Sequence, residues 1–259
     1  MLNYVSAEFY KVFRRKYPYM TFIIMAVLAA LLCSGFIFTN AHGNDIDFYS
    51  GGVTAVMVLS VGLYAAILVG DMVFSDQYKF NTLKNEVSFG VPRARIYLGK
   101  LAVEAVMGVA LSVLLIVFYE VLCFFTLLPS SPESTRAVLE IVGYCVLAAM
   151  PQWLGMLALT NMFFFLVRSN TLASFLTLGV IVVPATVFEV AALLLQGSMP
   201  DVAQALMTLK YLMPQQMIDL SGSSVGDWGF MAQSWIVGAV WVVSSTAIGL
   251  VGFRRKEIN

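Results

Sequence analysis

Three glutamates lie inside long stretches that otherwise carry no charge: Glu120, Glu140 and Glu189. An ionised carboxylate at the centre of a membrane-spanning helix costs about 2.5–3.5 kcal/mol on insertion scales, so it normally faces a protein interior or a water-filled cavity. We predict that the three carboxylates line an acidic vestibule, open to the outer side, that favours a cationic or polar-headed substrate. Two alternatives stay open. Glu140 and Glu189 lie near enough to the ends of their stretches to reach lipid headgroups, and Glu120 could bond a neighbouring helix.

A second set of residues occupies the most polar stretch of the chain, residues 71–100. Phe80 to Glu86 have the composition of a short polar helix, and Gly90-Val91-Pro92-Arg93 predicts a turn after it. A connection between helices usually needs only a few residues, so about thirty favour a surface that binds a partner. A solvated basic loop is the alternative. Glu104 follows this stretch, and we expect it to extend toward the headgroups or to pair with Lys100.

Signatures of catalysis are missing from the sequence. The chain has a single histidine, His42, and neither an H-E-x-x-H zinc motif nor a G-x-x-x-x-G-K-[ST] phosphate loop. The three cysteines, Cys33, Cys123 and Cys145, all fall in apolar stretches, which is typical of core packing rather than of a disulfide framework or a metal site. We therefore predict a non-catalytic protein that binds no cofactor of its own.

The elements that position these residues are predicted to be membrane-spanning helices. Of the 259 residues, 60% are hydrophobic and 12% are charged, against about 25% charged in soluble domains. A span needs roughly 20 apolar residues. We predict one all-α integral membrane domain over residues 1–259. Its parts are an amphipathic interfacial helix at 1–16, six spans at 17–38, 51–70, 101–128, 137–167, 171–195 and 235–253, a polar region at 71–100 and an outer helical segment at 196–234.

The basic residues predict how the chain is oriented. Thirteen of the fifteen lysines and arginines fall on one side of the predicted spans, and only Arg136 and Lys210 fall on the other. Lysine and arginine near span ends are retained in the cytoplasm. We therefore expect a multi-pass protein of the cell membrane, of the bacterial cytoplasmic type, with both termini and residues 71–100 in the cytoplasm. Nucleic acid is not an expected partner, because the basic residues follow span boundaries rather than a groove.

The order of these elements resembles the permease subunits of type-2 ABC export transporters. In that family the loop after the second span carries an acidic residue, a Thr-hydrophobic-basic element, a glycine, and then an arginine and a lysine. Here Asp76, Thr82-Leu83-Lys84, Gly90, Arg93 and Lys100 occupy those places. Asn81 stands where the family often has glycine, and asparagine also tolerates a left-handed turn. The resemblance covers essentially the whole chain through the order of its motifs.

The resemblance implies an assembly and a mechanism. Two such chains, identical or related, would combine with two cytoplasmic ABC ATPase subunits, and ATP and magnesium would be bound by those ATPases. The coupling residues would be Asp76, Asn81, Thr82, Leu83, Lys84, Glu86 and Arg93. We expect export of an antimicrobial or amphipathic peptide. Export of a lipid, a drug or an ion is one alternative, and an ATP-independent secondary transporter is another, although the latter is usually built from an inverted repeat that the sequence does not show.

Overall fold

The computed structural model describes residues 2–74 and 82–256, and the described chain is a bundle of α-helices without a β-strand. The helices, in chain order, are α1 (Leu2–Phe13), α2 (Tyr17–Ala41), α3 (Phe48–Val58), α4 (Val61–Phe74), α5 (Thr82–Ser88), α6 (Arg93–Thr126), α7 (Pro132–Leu166), α8 (Asn170–Leu195), α9 (Pro200–Tyr211), α10 (Pro214–Ser221) and α11 (Trp228–Arg255). A short 3₁₀ turn, Gly222–Ser224, precedes α11.

The described helices confirm the predicted all-α membrane fold. Five of them (α2, α6, α7, α8 and α11) are long and apolar enough to cross a bilayer, and α3 and α4 together form a sixth if the bent pair counts as one span. α1, α5 and the C-terminal end of α11 lie at one end of the bundle, which we call the basic end. α9 and α10 lie at the other, which we call the far end.

The second span differs from the single helix predicted over residues 51–70. The chain bends by 57° between α3 and α4. At the break the indole of Trp153 donates a hydrogen bond of 3.1 Å to the carbonyl of Leu59, and Gly62 leaves room for the indole ring. A bend in hydrocarbon needs another group to bond the backbone atoms it releases. Trp153, on another helix and far away in sequence, supplies that group.

Helix α7 is the centre of the bundle. Two thirds of its apolar segment is buried (67%), against 6% for α2 and 11% for α8. Its sequence explains this position, since Ala148, Ala149, Gly155 and Ala158 allow neighbouring backbones to approach closely. Pro151 and Pro184 lie inside α7 and α8, and both helices continue past their proline.

The contact between α7 and α11 is built from a proline, a glycine and a polar pair. Gly238 of α11 lies directly against Pro151, because a Cβ placed on this glycine would meet backbone atoms of the proline. Beside this contact, the amide of Gln152 donates to the Ser234 carbonyl at 2.7 Å, and the Ser234 hydroxyl donates to the Ala148 carbonyl at 2.7 Å. Small residues and interhelical hydrogen bonds hold transmembrane helices together in this way.

The outer segment predicted at 196–234 contains more helix than expected. Where the sequence predicted a single helical segment, the structure has α9, then α10 and the 3₁₀ turn before α11 begins. Pro200 and Pro214 each occupy the first turn of their helix, where the missing N–H costs nothing.

Replacement of Gly238 by alanine tests the close approach of α7 and α11. The added methyl group overlaps the Pro151 backbone, so we expect the free energy of unfolding to fall by about 1–3 kcal/mol, as in overpacked cores. Thermal unfolding of the purified protein in detergent measures this. Gly179→Ala is the matched control, since a Cβ at Gly179 meets nothing within 4 Å, and equal effects of the two substitutions would contradict the packing described.

Candidate functional site

Helix α5 is the part of the predicted coupling region that the structure describes. Leu83 points into the protein and is buried, whereas the side chains of Thr82 and Lys84 are exposed. Asp76 and Asn81, the other two coupling residues predicted before α5, lie outside the described residues. The helix therefore has one face packed on the bundle and one face, with Lys84, that faces outward.

Glu86 of α5 is bound by the N-terminal helix α1. The phenol of Tyr4 donates to Oε2 of Glu86 at 2.9 Å, and the ammonium group of Lys11 donates to Oε1 at 2.9 Å. Burial raises the pKa of the Tyr4 phenol, and the carboxylates of Glu8 and Glu86 raise it further, so Tyr4 remains a neutral donor. Glu86 thus joins α5 to α1 rather than standing free for a partner.

Helix α1 is joined to α6 by a buried ion pair. The ammonium of Lys100 lies 2.6 Å from Oε2 of Glu8, and both side chains are almost completely buried, at 0% and 1% exposure. Lys11 binds the other oxygen of Glu8. Burial alone would raise the pKa of Glu8, but the charge of Lys100 and the hydrogen bonds from both lysines outweigh it and place the pKa below its ordinary value. An unbroken chain of contacts therefore runs from α5 through α1 to α6.

The buried face of α1 corrects the predicted division of this helix. An amphipathic helix is expected to bury its apolar residues and expose its charges, but Glu8 and Val12 are the buried residues of α1 while Phe13 is half exposed. Tyr4 also packs on α6, where Gly99 leaves space for its ring. Helix α1 therefore turns a mixed face toward the protein.

Basic side chains bind the C-terminal carbonyls of three helices at the basic end. Arg93 donates at 2.8 Å to each of three carbonyls at the end of α11, those of Phe253, Arg254 and Lys256. Lys256 donates to the Phe165 carbonyl near the end of α7, and Arg15 to that of Met72 near the end of α4. Cations at helix C-termini satisfy the unpaired carbonyls and interact favourably with the helix dipole. The positive charges of Arg93, Lys256 and Arg15 are therefore bound to carbonyl groups of the protein itself.

Arg93, which was predicted as a coupling residue, has structural contacts in the bundle. Its half-buried guanidinium holds α6 against the end of α11. Lys256 is held in a similar setting, where burial and then the charge of Arg168 lower its pKa to about 8. Of the predicted coupling residues that the structure describes, Lys84 is the exposed charge.

The three predicted vestibule glutamates have separate surroundings. Glu140 is exposed and pairs with Arg136 one turn earlier on α7, at 2.7 Å. Glu189 of α8 pairs with Lys210 of α9 at 3.1 Å. The hydrogen bonds and ion pairs described for the chain do not join these two carboxylates to Glu120. Glu140 and Glu189 each lie beside a cation, whereas Glu120 forms no ion pair with a described residue.

Glu120 lies where α6 meets α3 and α7. Its Oε2 atom would be 2.9 Å from a Cβ placed on Gly52, a position that Val138 also contacts. Both carboxylate oxygens are buried, and no described group forms a hydrogen bond with them. The predicted alternative, a hydrogen bond to a neighbouring helix, is thus not found among the described residues.

An apolar cavity of about 280 Å³ opens beside the bend of the second span. Helices α2, α3, α4, α6 and α7 surround it. Its lining includes Leu28, Leu32, Ala55, Leu115, Tyr119 and Trp153. A cavity of 150 Å³ already binds a benzene molecule, so this one accommodates a larger apolar group. Tyr119, at the wall, is the residue before Glu120.

The sequence carried partial signals for the residues that it missed. Tyr4, Glu8 and Val12 recur at four-residue spacing, which is the pattern of one helix face, but nothing in that spacing identifies Lys100 as the partner. The expected pairing of Glu104 with Lys100 is wrong, because Lys100 binds Glu8.

A family model described as an ABC-2 family transporter protein matches residues 4–185 of the 259-residue chain. The chain belongs to the ABC-2 transporter family. The match begins in α1 and extends through α5 and α6 into α8, so it includes the whole network around Glu8. The chain is therefore the membrane component of an ABC transporter, a multi-pass protein whose family is generally non-catalytic and associates with ATPase subunits in a bilayer. No curated protein matches the chain.

Replacement of Arg93 tests its structural role. Arg93→Ala removes three hydrogen bonds from a charged donor to the end of α11, so we expect a loss of about 1.5–3 kcal/mol in the free energy of unfolding. Thermal unfolding in detergent measures it. Arg95→Ala is the matched control, because Arg95 is an exposed arginine on the same helix, where substitutions usually change stability by less than about 0.5 kcal/mol. Equal stability of the two variants would contradict the capping role.

Proposed function

We propose that this chain is the membrane subunit of an ATP-driven exporter in the cell membrane, with both termini in the cytoplasm. Two permease chains, identical or related, would form the substrate pathway, and two ATPase subunits would bind ATP and magnesium. The absence of a phosphate-binding loop from this sequence agrees with a motor on another polypeptide. The basic end would face the cytoplasm, as expected from the distribution of lysine and arginine.

The observation that carries this proposal is the chain of polar contacts from α5 to α6. A force applied to α5 acts on Glu86, passes to Tyr4 and Lys11 of α1, and reaches Lys100 through Glu8. The last pair is buried, so its separation would leave an uncompensated charge at a cost of about 3–5 kcal/mol. The three helices therefore move together or not at all, as a mechanical coupling between a motor and the spans requires.

Coupling through this network also agrees with the one exposed face of α5. Leu83 fixes α5 to the bundle, and Lys84 is left to contact the ATPase. Nucleotide binding would then shift a two-state packing of the spans through α1 and α6. Asp76 and Asn81 belong to the same proposed contact by family resemblance.

For the substrate we propose an amphipathic, cationic molecule, with an antimicrobial peptide as the favoured example. Glu120 supplies a carboxylate without a described partner in the outer half of α6, and the cavity near Tyr119 supplies apolar volume. A molecule with a positive group and an apolar group matches these two features. Glu140 and Glu189, which are paired with cations, contribute little to such recognition.

Reversal of charge at Lys84 tests the docking surface. A like charge placed in an interface costs several kcal/mol, so Lys84→Glu should weaken binding of the cognate ATPase at least about tenfold, and transport should fall with it. Affinity co-purification and a binding titration in nanodiscs measure the effect. Arg254→Glu is the control for charge at the same end of the bundle, because Arg254 is exposed and lies outside α5.

Glu86→Gln separates docking from force transmission. This change removes the charge that Lys11 binds, while Lys84 and the exposed face of α5 stay intact. We expect the ATPase to remain bound while its hydrolysis no longer drives transport. If the Lys84→Glu variant still binds the ATPase and the Glu86→Gln variant still transports substrate, α5 is not the coupling element.

Replacement of Glu120 tests the proposed substrate class. Glu120→Gln preserves shape and removes the charge, so we expect export of cationic amphipathic peptides to fall by about tenfold or more, since hydrogen bonds to charged groups contribute about 1.5–3 kcal/mol. Transport of a neutral analogue should change little. Peptide export from proteoliposomes measures both, with Glu140→Gln as the control. Unchanged export of the cationic peptide would remove Glu120 from the pathway.

A further inference from the structure

Helix α6 contains a second carboxylate, Glu104, that is distinct from the coupling network and from Glu120. Its side chain is completely buried (0% exposed), and no described group forms a hydrogen bond with either oxygen. On α7, Asn161 is equally buried; neither its amide nitrogen nor its oxygen meets hydrogen-bond geometry with a described group, although the Tyr97 hydroxyl lies close enough to interact with it. Unsatisfied buried polar groups cost about 1–3 kcal/mol each, and a charged one costs more.

Two contacts between α6 and α7 place these residues opposite each other. The rings of Tyr97 and Phe165 lie 4.8 Å apart, and two to three turns further along α6 a Cβ on Gly108 would lie 2.7 Å from Leu157. The helices are antiparallel, joined by the short connection after Thr126. The register between the two contacts therefore brings Glu104 to the turn of α7 that contains Asn161. The Tyr97 hydroxyl lies beside both side chains.

The charges around Glu104 leave it without a counterion. Among the described residues, Lys100, one turn earlier on α6, provides the positive charge that acts on Glu104. Its ammonium group, however, is bound to Glu8 of α1. Lys11 and Lys100 are balanced by Glu8 and Glu86. The facing parts of α7 and α11 contribute uncharged groups, Asn161 and the Ser245 carbonyl that accepts from Tyr97. An ionised Glu104 would thus add one net negative charge to a site that is closed to water.

We propose that Glu104 and Asn161 form a binding site for one monovalent cation, a proton or an alkali metal ion, which stabilises the packing of α6 against α7. A single carboxylate matches a single positive charge. The described residues offer no group of three His, Cys, Asp or Glu side chains for a more highly charged metal. Intramembrane carboxylates in transport proteins characteristically mark ion sites.

The donors and acceptors of the pair are complementary when the cation is present. With a proton on Glu104, the acid O–H donates to the amide oxygen of Asn161, and the amide N–H donates back to the other oxygen of Glu104. With an alkali ion, the carboxylate and the amide oxygen both serve as hard oxygen ligands. In the proton form the acid O–H supplies the amide oxygen with a donor, and in the alkali form both side-chain oxygens coordinate the ion.

The protonation state of Glu104 tests the proposal directly. The full-length chain in lipid nanodiscs is studied by infrared difference spectroscopy at neutral pH, in choline chloride and in sodium chloride, with thermal unfolding as a second readout. A bound proton gives a protonated carboxyl band that Glu104→Gln removes and Glu140→Gln keeps. A bound alkali ion gives no such band, but sodium then raises the melting temperature of the wild type and of Glu140→Gln, and not that of Glu104→Gln.

A second variant, Glu104→Asp, keeps the test decisive if Glu104→Gln folds poorly. Glu104→Asp retains the acid on a shorter side chain, so in the proton case it should shift the same band, and in the alkali case it should weaken the sodium effect. The proposal is overturned if Glu104 is ionised in choline and sodium leaves the melting temperature unchanged. Because neither readout involves the ATPase or a transported substrate, this result would leave the proposed export function untouched.

Discussion

The structure depends on a constraint that hydrocarbon imposes on a charge buried at the end of a span: it must find a partner within the protein. Lys100 shows the constraint most clearly, because it is completely buried and bound to an equally buried Glu8. Removal of either partner would leave a lone buried charge. The pair therefore fixes the position of α1 on α6, and α1 in turn fixes α5 through Glu86. A helix expected to lie loosely in the interface is instead a structural part of the bundle.

Backbone groups obey the same constraint along α7. Its neighbours approach through glycine and alanine, and side chains bond the carbonyls that bends and helix ends release. Trp153 does so for Leu59 at the bend between α3 and α4, and Lys256 does so for Phe165. The arginines and lysines of the basic end thus have two functions at once. They set orientation through their charge, and several of them also close the ends of helices.

Much of the fold could be predicted from the sequence, because apolar length alone identifies a span. The limits of α8 follow from it closely, whereas α11 begins at Trp228, well before the span predicted at 235–253. The bend after Val58 could not be predicted, since it requires Trp153 from a distant helix. The prediction that Glu104 pairs with Lys100 was wrong for a local reason. Helical side chains tilt toward the N-terminus, so Lys100 extends away from Glu104 and toward α1. A lysine that precedes a glutamate by four residues is also the weaker order for such a pair.

Six glutamates among the described residues divide into two groups by whether a cation lies beside them. Glu8, Glu86, Glu140 and Glu189 each lie against a cation, and together with it they connect helices or turns. Glu104 and Glu120 have buried oxygens without a described partner. Proteins usually provide partners for their buried polar groups, and the exceptions concentrate at functional sites. Both exceptions lie on α6, the helix to which the coupling network connects. A motion of α6 driven through Lys100 would therefore change the surroundings of both carboxylates together, which is how a force at the basic end could alter affinity deeper in the membrane.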